Sequence, residues 1–265
     1  MSTATLDRTN TTSPALGWGV HDTAALIWRA VRRSLRQLDT ILLAVLLPVM
    51  LLLMFVYVFG GAIDAGMDYV DFIVPGIILL TAGYGSANTA VDVASDMTGG
   101  IIDRFRSLPI RPTGVLTGHV VASMVRNAVS TALVIGIAFV IGFSPSASAL
   151  DWVAALGLIA LFVLALTWIA VAIGVVASGP EAASGFTFII LFIPYVSSAF
   201  VPPESMPSVL QNIATYNPIT PLSDTVRGLL LGQPVGDSWP AAVLWCLGIF
   251  VVGRVAAGLL FRRSR

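Results

Sequence analysis

The sequence predicts an all-α polytopic membrane protein. Its expected parts are six transmembrane helices, an N-terminal interfacial amphipathic helix, a short cytoplasmic helix after the second span and a re-entrant extracellular helical hairpin before the last span. Three observations carry this expectation. Of 265 residues, 57% are hydrophobic and only 11% charged, with a mean hydropathy of +0.91, whereas soluble domains are roughly 45–50% apolar and about 25% charged. A window of about 20 residues, the length that crosses a hydrocarbon core of about 30 Å, finds six apolar segments. The arginines then gather on one side of those segments. This composition excludes a soluble enzyme, a nucleic-acid binder and a disordered chain.

The six segments lie near 41–60, 72–94, 115–142, 152–177, 184–201 and 239–261. The first contains no charge. The third exceeds the length a span requires, so it tilts or projects beyond the membrane. The fifth is the shortest and runs into Pro194. Under this reading Arg8, Arg29, Arg32, Arg33, Arg36, Arg104, Arg106, Arg111, Arg262, Arg263 and Arg265 share one side, and only Arg227 lies on the other. Both termini are therefore expected to be cytoplasmic, in a multi-pass protein of the plasma membrane. Residues 1–20, rich in Ser, Thr and Asn, read as a disordered cytoplasmic tail, and 21–265 as one membrane domain without an internal repeat. No cleavable signal peptide is expected, because the first apolar run begins at Ile41 and is too long for one.

Residues 22–38 read as an amphipathic helix. Ala24, Ile27, Trp28, Val31, Leu35 and Leu38 fall on one face, and Arg29, Arg32, Arg33 and Arg36 on the other. Such a helix lies in the headgroup plane with its arginines near anionic lipid. It serves either as a topology anchor or as a lever on a cytoplasmic partner.

The loop over 95–113 places Ile102, Phe105 and Leu108 at every third position, with Asp103, Arg104 and Arg106 between them, and Pro109 and Pro112 end the helix. Its apolar edge wants either a groove on another protein or the lipid surface. On the opposite side, Pro202, Pro203 and Pro207 open a long connection. A short helix over 208–216 follows, Asn217-Pro218 breaks it, and a second helix over 220–231 stops at Gly232. Asp224 and Arg227, three apart, are spaced to pair. The pair of helices forms either a lid dipping into the membrane or a surface-packed element.

Ionisable residues within spans are few. Asp92 ends span two, Arg126 sits a third of the way along span three, and Arg254 lies near the end of span six, where it can snorkel. Arg126 is placed to clamp onto Asp92 or Asp96. With no Asp, Glu, His or Lys near a midplane, the pattern argues against an ion-coupled carrier. Cys246 is the only cysteine, so neither a disulfide framework nor a multi-cysteine metal site is expected. All fourteen cations are arginine. Without lysine there is no P-loop, so ATP is not hydrolysed by a P-loop of this chain. The all-arginine usage also points to a GC-rich, bacterial coding source.

Two stretches carry a family resemblance. Asp103-Arg-Phe-Arg-Ser-Leu-Pro-Ile110 is similar to an Arg-Phe-Arg-Ser-Leu-Pro signature. The second runs from Ser197-Ser-Ala-Phe-Val-Pro-Pro-Glu-Ser-Met-Pro207 through Tyr216-Asn-Pro-Ile-Thr-Pro221 to Arg227-Gly-Leu-Leu-Leu-Gly232. Together they resemble the permease subunits of type-2 ABC exporters, in the daunorubicin-resistance (DrrB-like) multidrug efflux branch. The resemblance implies a pair of six-span permeases, the second a copy or a paralogue, each docked on a separate cytoplasmic ABC ATPase that binds ATP and magnesium. It makes Ile102, Phe105, Arg106, Leu108 and Pro109 an ATPase-coupling helix and assigns the outer gate to Pro202, Met206, Asp224 and Arg227. The expected cargo is hydrophobic or amphiphilic, such as drugs or lipids. The alternatives are a polysaccharide or other envelope polymer, or a scaffold that anchors an ATPase.

Overall fold

The computed structural model describes residues 32, 38–63, 65–100 and 113–263, and among them the fold is entirely helical. Eight α-helices are defined. They are α1 (Leu38–Met54), α2 (Tyr69–Thr98), α3 (Thr113–Ile141), α4 (Ala149–Val176), α5 (Pro180–Phe192), α6 (Ser208–Tyr216), α7 (Ile219–Leu230) and α8 (Ser238–Arg263). Four of them are long and apolar enough to cross a membrane: Tyr69–Thr98, Gly114–Ile141, Ala149–Val176 and Ser238–Arg263. Val45–Phe59 and Pro180–Val196 are shorter apolar helices. The chain is thus a polytopic helical membrane protein.

The central helix is α2, buried without interruption from Phe72 to Gly83. A helix buried over three turns must be surrounded by other helices, and α2 packs against α1, α3, α4, α5 and α7. By contrast α8 buries only Ala242, Cys246, Gly253, Ala257 and Phe261, a single stripe along its length. That stripe lies on α4, where Gly253 lets the two backbones approach: an added Cβ would meet the Ile169 nitrogen at 2.8 Å. Its other faces expose Leu244, Val252, Val255 and Leu259, which suits contact with lipid tails and not water.

Local signals explain two of the helix ends. A capping box opens α4: Asp151 N donates to Ser148 Oγ, and Ser148 N donates back to the Asp151 carboxylate at 3.0 Å. Gly232, with φ +63°, stands just past α7 at the expected stop.

Two apolar segments differ from a plain span. The first contains Pro48, which withdraws one backbone donor, and it ends in a π-helical turn over Phe55–Phe59. The fifth does not continue to residue 201. It leaves α-helical geometry at Phe192 and tightens into a 3-10 turn over Ile193–Val196. Pro194 cannot donate to the helix ladder, and where the helix ends the carbonyls of Ile193 and Val196 accept from Asn217 Nδ2. The tail over 1–20, the coupling segment 101–112 and the interfacial helix lie outside the described residues, except that Arg32 is helical and exposed.

Candidate functional site

Two buried polar clusters interrupt this apolar bundle. The first joins α2, α3 and α4. On α2, Gly85, Ser86, Thr89, Asp92 and Asp96 recur at helical spacing along one face, and on α3 His119, Ser123, Arg126, Asn127 and Ser130 do the same. Arg126 is 1% exposed and is the hub. Its Nη1 donates to Asp92 Oδ2 at 3.3 Å, and its Nη2 donates to the Gly85 carbonyl at 3.2 Å and to Thr89 Oγ1 at 3.1 Å. The planar guanidinium suits this divided duty, since it presents several donors in a fixed fork. Asp92 remains about one-third exposed, so one end of the pair faces out of the bundle.

One turn further along, Asp96 meets His119 Nε2 at 3.1 Å. Deeper in, Ser123 Oγ and Thr167 Oγ1 lie 3.1 Å apart, Thr167 donates to Ser86 Oγ at 3.3 Å, and Asn127 Nδ2 donates to the Ser123 carbonyl at 3.0 Å. The Asn127 amide packs directly on Gly85: a Cβ at that position would sit 2.1 Å from Asn127 Oδ1, so the amide would have to move to admit one. Arg254, expected to snorkel, lays its guanidinium 4.5 Å over the Trp168 ring.

The second cluster joins α7 to the start of α2 and to the 197–200 turn. Arg227 Nε donates to the Phe72 carbonyl at 3.0 Å, Nη1 to Asp224 Oδ1 at 2.8 Å, and Nη2 to the Ser198 carbonyl at 2.8 Å. The guanidinium also lies 4.0 Å over the Phe72 ring. Ser198 Oγ donates to the same Asp224 oxygen at 2.7 Å, so the carboxylate is held by both a cation and a hydroxyl. Tyr69 OH donates to the Phe200 carbonyl at 3.0 Å, closing the turn onto α2. Pro202 and Met206 flank the 3-10 turn Pro203–Ser205 and are partly exposed. No described hydrogen bond or ion pair joins them to Asp224 and Arg227.

The structure thus brings Asp92 to Arg126 and Asp224 to Arg227. Trp28, Arg29, Arg33, Arg36, Ile102, Phe105, Arg106, Leu108 and Pro109 lie outside the described residues. Sequence reading passed over Gly85, Thr89, Ser123, Asn127 and Thr167, and it named Ser198 and Asn217 only within a motif or a helix break, with no hydrogen-bonding role. The i, i+3/i+4 run of small polar residues along two otherwise apolar spans was the signal that would have found most of them.

Comparison with known proteins sets these clusters in a family. The model of the ABC-2 type transporter family matches residues 21–231. The chain is 32% identical over 254 residues to the daunorubicin resistance ABC transporter permease protein DrrB1 of Streptomyces coeruleorubidus, covering 95% of this chain and 89% of that one. It is 26% identical over 250 residues to the protein named "Probable doxorubicin resistance ABC transporter permease protein DrrC" of Mycobacterium tuberculosis, covering 89% and 86%. With a family match that takes in both polar clusters and a relative similar along nearly its whole length, the chain belongs to the ABC-2 type transporter family, as a membrane permease whose ATP hydrolysis resides on separate ATPase subunits.

Proposed function

We propose that this chain is the membrane-spanning subunit of an ATP-driven exporter that moves hydrophobic or amphiphilic compounds across a bacterial plasma membrane. The observation that carries the reading is near full-length similarity to permeases named for daunorubicin and doxorubicin resistance. In this reading the chain crosses the membrane six times, the shorter helices over 45–59 and 180–196 being the first and fifth crossings, with both termini cytoplasmic. Residues 21–265 form one transmembrane domain preceded by a cytoplasmic tail.

Two permeases, identical or paralogous, pair around a path, and each docks a cytoplasmic ATPase that binds ATP and magnesium. The segment Ile102, Phe105, Arg106, Leu108 and Pro109 enters a groove on that ATPase. The helix bearing Trp28, Arg29, Arg32, Arg33 and Arg36 rides on membrane lipid. Within the membrane the Asp92–Arg126 pair clamps α2 to α3, so that a push on the loop joining them moves both helices together. At the far end, the Arg227 network ties α7 to α2, and with Pro202, Met206 and Asp224 forms the outer gate.

The test is ATP hydrolysis by the permease–ATPase complex in lipid nanodiscs, with and without daunorubicin. Stimulation by the drug, lost in Phe105→Asp while the permease still inserts, is the expected result. A stable complex indifferent to every amphiphile would move the reading to a polymer exporter or scaffold, and failure to form any complex would remove the docking assignment.

A further inference from the structure

Three successive carbonyls of the 197–200 turn are each met by another element. The Ser198 carbonyl accepts from Arg227 Nη2 at 2.8 Å, and the Phe200 carbonyl accepts from Tyr69 OH at 3.0 Å. Between them, the Ala199 carbonyl lies against Gly76 of α2: a Cβ on Gly76 would sit 2.4 Å from that oxygen and 3.0 Å from its carbon. Only glycine admits so close an approach. At Gly85 a side-chain amide could move aside, whereas here the obstacle is backbone pinned on both sides. Ala199 is fully buried, and the Phe200 ring is stacked between Phe55, at 5.4 Å, and Tyr195, at 5.2 Å.

This seat fixes more than the turn itself. Pro202 follows Phe200 by two residues, Ser198 Oγ donates to Asp224 Oδ1 at 2.7 Å, and Ser198 N donates to Thr220 Oγ1 at 3.2 Å. On α2 the contacts straddle Pro75, which removes the ladder bond to the Asp71 carbonyl. Tyr69 and Phe72 lie on one side of that gap and Gly76 on the other. Toward α4 and α8, by contrast, α7 turns apolar side chains such as Leu222, Val226 and Leu230. Hydrogen bonds are directional and set a position, whereas apolar contact is not.

We propose that Gly76 and Tyr69 are positioning residues of the outer gate. They seat the 197–200 turn on α2, and the turn sets where Pro202, Asp224 and Arg227 stand. The inference rests on reading this end as the outer gate of an exporter and names the residues of α2 that place it. Both act through the turn and need no contact with cargo.

The experiment places Ser197→Cys, at a fully buried position of the turn, in a Cys246→Ala background. Its reaction with an impermeant thiol reagent is followed in nanodiscs. Daunorubicin export and ATP hydrolysis by the permease–ATPase complex are followed in proteoliposomes. Gly76→Ala is expected to speed the thiol reaction and to lower export about tenfold or more, as overpacking against backbone does, while ATP hydrolysis continues. Tyr69→Phe, which loses one hydroxyl and keeps the ring, is expected to change both about two- to fivefold. It decides the matter if Gly76→Ala does not insert. Gly253→Ala, at the close approach of α8 to α4, is the control: it is expected to lower the unfolding temperature and leave Ser197→Cys protected. Protection of Ser197→Cys in Gly76→Ala and Tyr69→Phe would overturn the seat, and so would equal reactivity in Gly253→Ala. A fast thiol reaction with wild-type export in both variants, while Arg227→Leu impairs export, would overturn their role and leave the gate standing. Wild-type export in Arg227→Leu as well would overturn the gate reading, and the inference with it.

Discussion

Arg126 and Arg227 are arginines enclosed almost entirely by protein, 1% and 7% exposed, in a chain whose composition otherwise avoids charge. Each is tolerated for the same reason: its donors are divided between a carboxylate and backbone or hydroxyl oxygens, so desolvation is offset at several points. Their settings differ. Arg227 stacks on Phe72 and ties three segments together, whereas Arg126 holds two helices through an aspartate that still faces outward. The clamp is testable as a thermodynamic cycle. Arg126→Leu, Asp92→Asn and the double variant, unfolded thermally in detergent, are expected to give a coupling of about 1–3 kcal/mol, the range for contacting residues in one network. The swapped pair Asp92→Arg with Arg126→Asp is expected to recover part of the loss. Additive single effects without recovery would mean that Arg126 is held in place without Asp92.

At the level of elements, the end of α5 shows how one side chain replaces a helix ladder. Pro194 stops the helix, and Asn217, from the break between α6 and α7, donates to Ile193 O at 2.8 Å while its Oδ1 accepts from Ile219 N at 2.9 Å. One amide therefore closes α5 and opens α7. Asn217→Ala is expected to cost about 1–3 kcal/mol, because it strands buried backbone groups on both sides. Hydrogen exchange should report it locally, with faster exchange over 196–200 and 219–223 and little change in α4. Uniform acceleration would place the damage in the whole bundle instead. The two helices that follow are of unequal character. The apolar side of α7, with Leu222, Val226 and Leu230, is buried against α2, α4 and α8, while α6 leaves Val209, Leu210, Ile213 and Tyr216 exposed. The periodicity of both helices was readable, and the expected boundaries lie within a residue of 208–216 and 219–230. Which of the two would be covered was not readable, since both carry an apolar stripe and only packing chooses between them.

For the molecule as a whole, the arginine count gives an expectation for the side on which each loop lies, and that expectation can be measured. Cys246 is buried, at 2% exposure, so in a Cys246→Ala background single cysteines report unambiguously. Cysteine introduced at Ser2 or Ser264 is expected to react only after the membrane is opened from the cytoplasmic side. Cysteine at Ser146, in the turn between α3 and α4, is expected to react with an impermeant reagent from outside. Reversal of both would invert the topology and with it the assignment of the coupling segment. The same view locates the polar seam: it runs along α2 and α3, with Asp96–His119 nearer the ends of the two helices and Asp92–Arg126 a turn deeper.

By itself the sequence determined what depends on composition and local spacing. The apolar runs impose helices because backbone groups in lipid must be satisfied within the segment. Pro194, Gly232 and the Ser148–Asp151 pair mark their ends. The two motifs around Asp103–Ile110 and Ser197–Gly232 pointed to the family that the comparisons then showed. The ion pair of α7 also belonged to this local class, its members being three residues apart. What only the tertiary structure decided is which residues meet across helices. Asp92 and Asp96 lie on the same face of α2 and were equal candidates for Arg126, and the axial offset between α2 and α3 sets Asp92 against Arg126 and Asp96 against His119. Likewise Pro194 ends the fifth helix locally, but that Asn217 of another element supplies the donor to the Ile193 carbonyl is decided only by the fold. Helix rotation and offset are set by the packing of every side chain at once, and no window along one stretch of sequence contains that information.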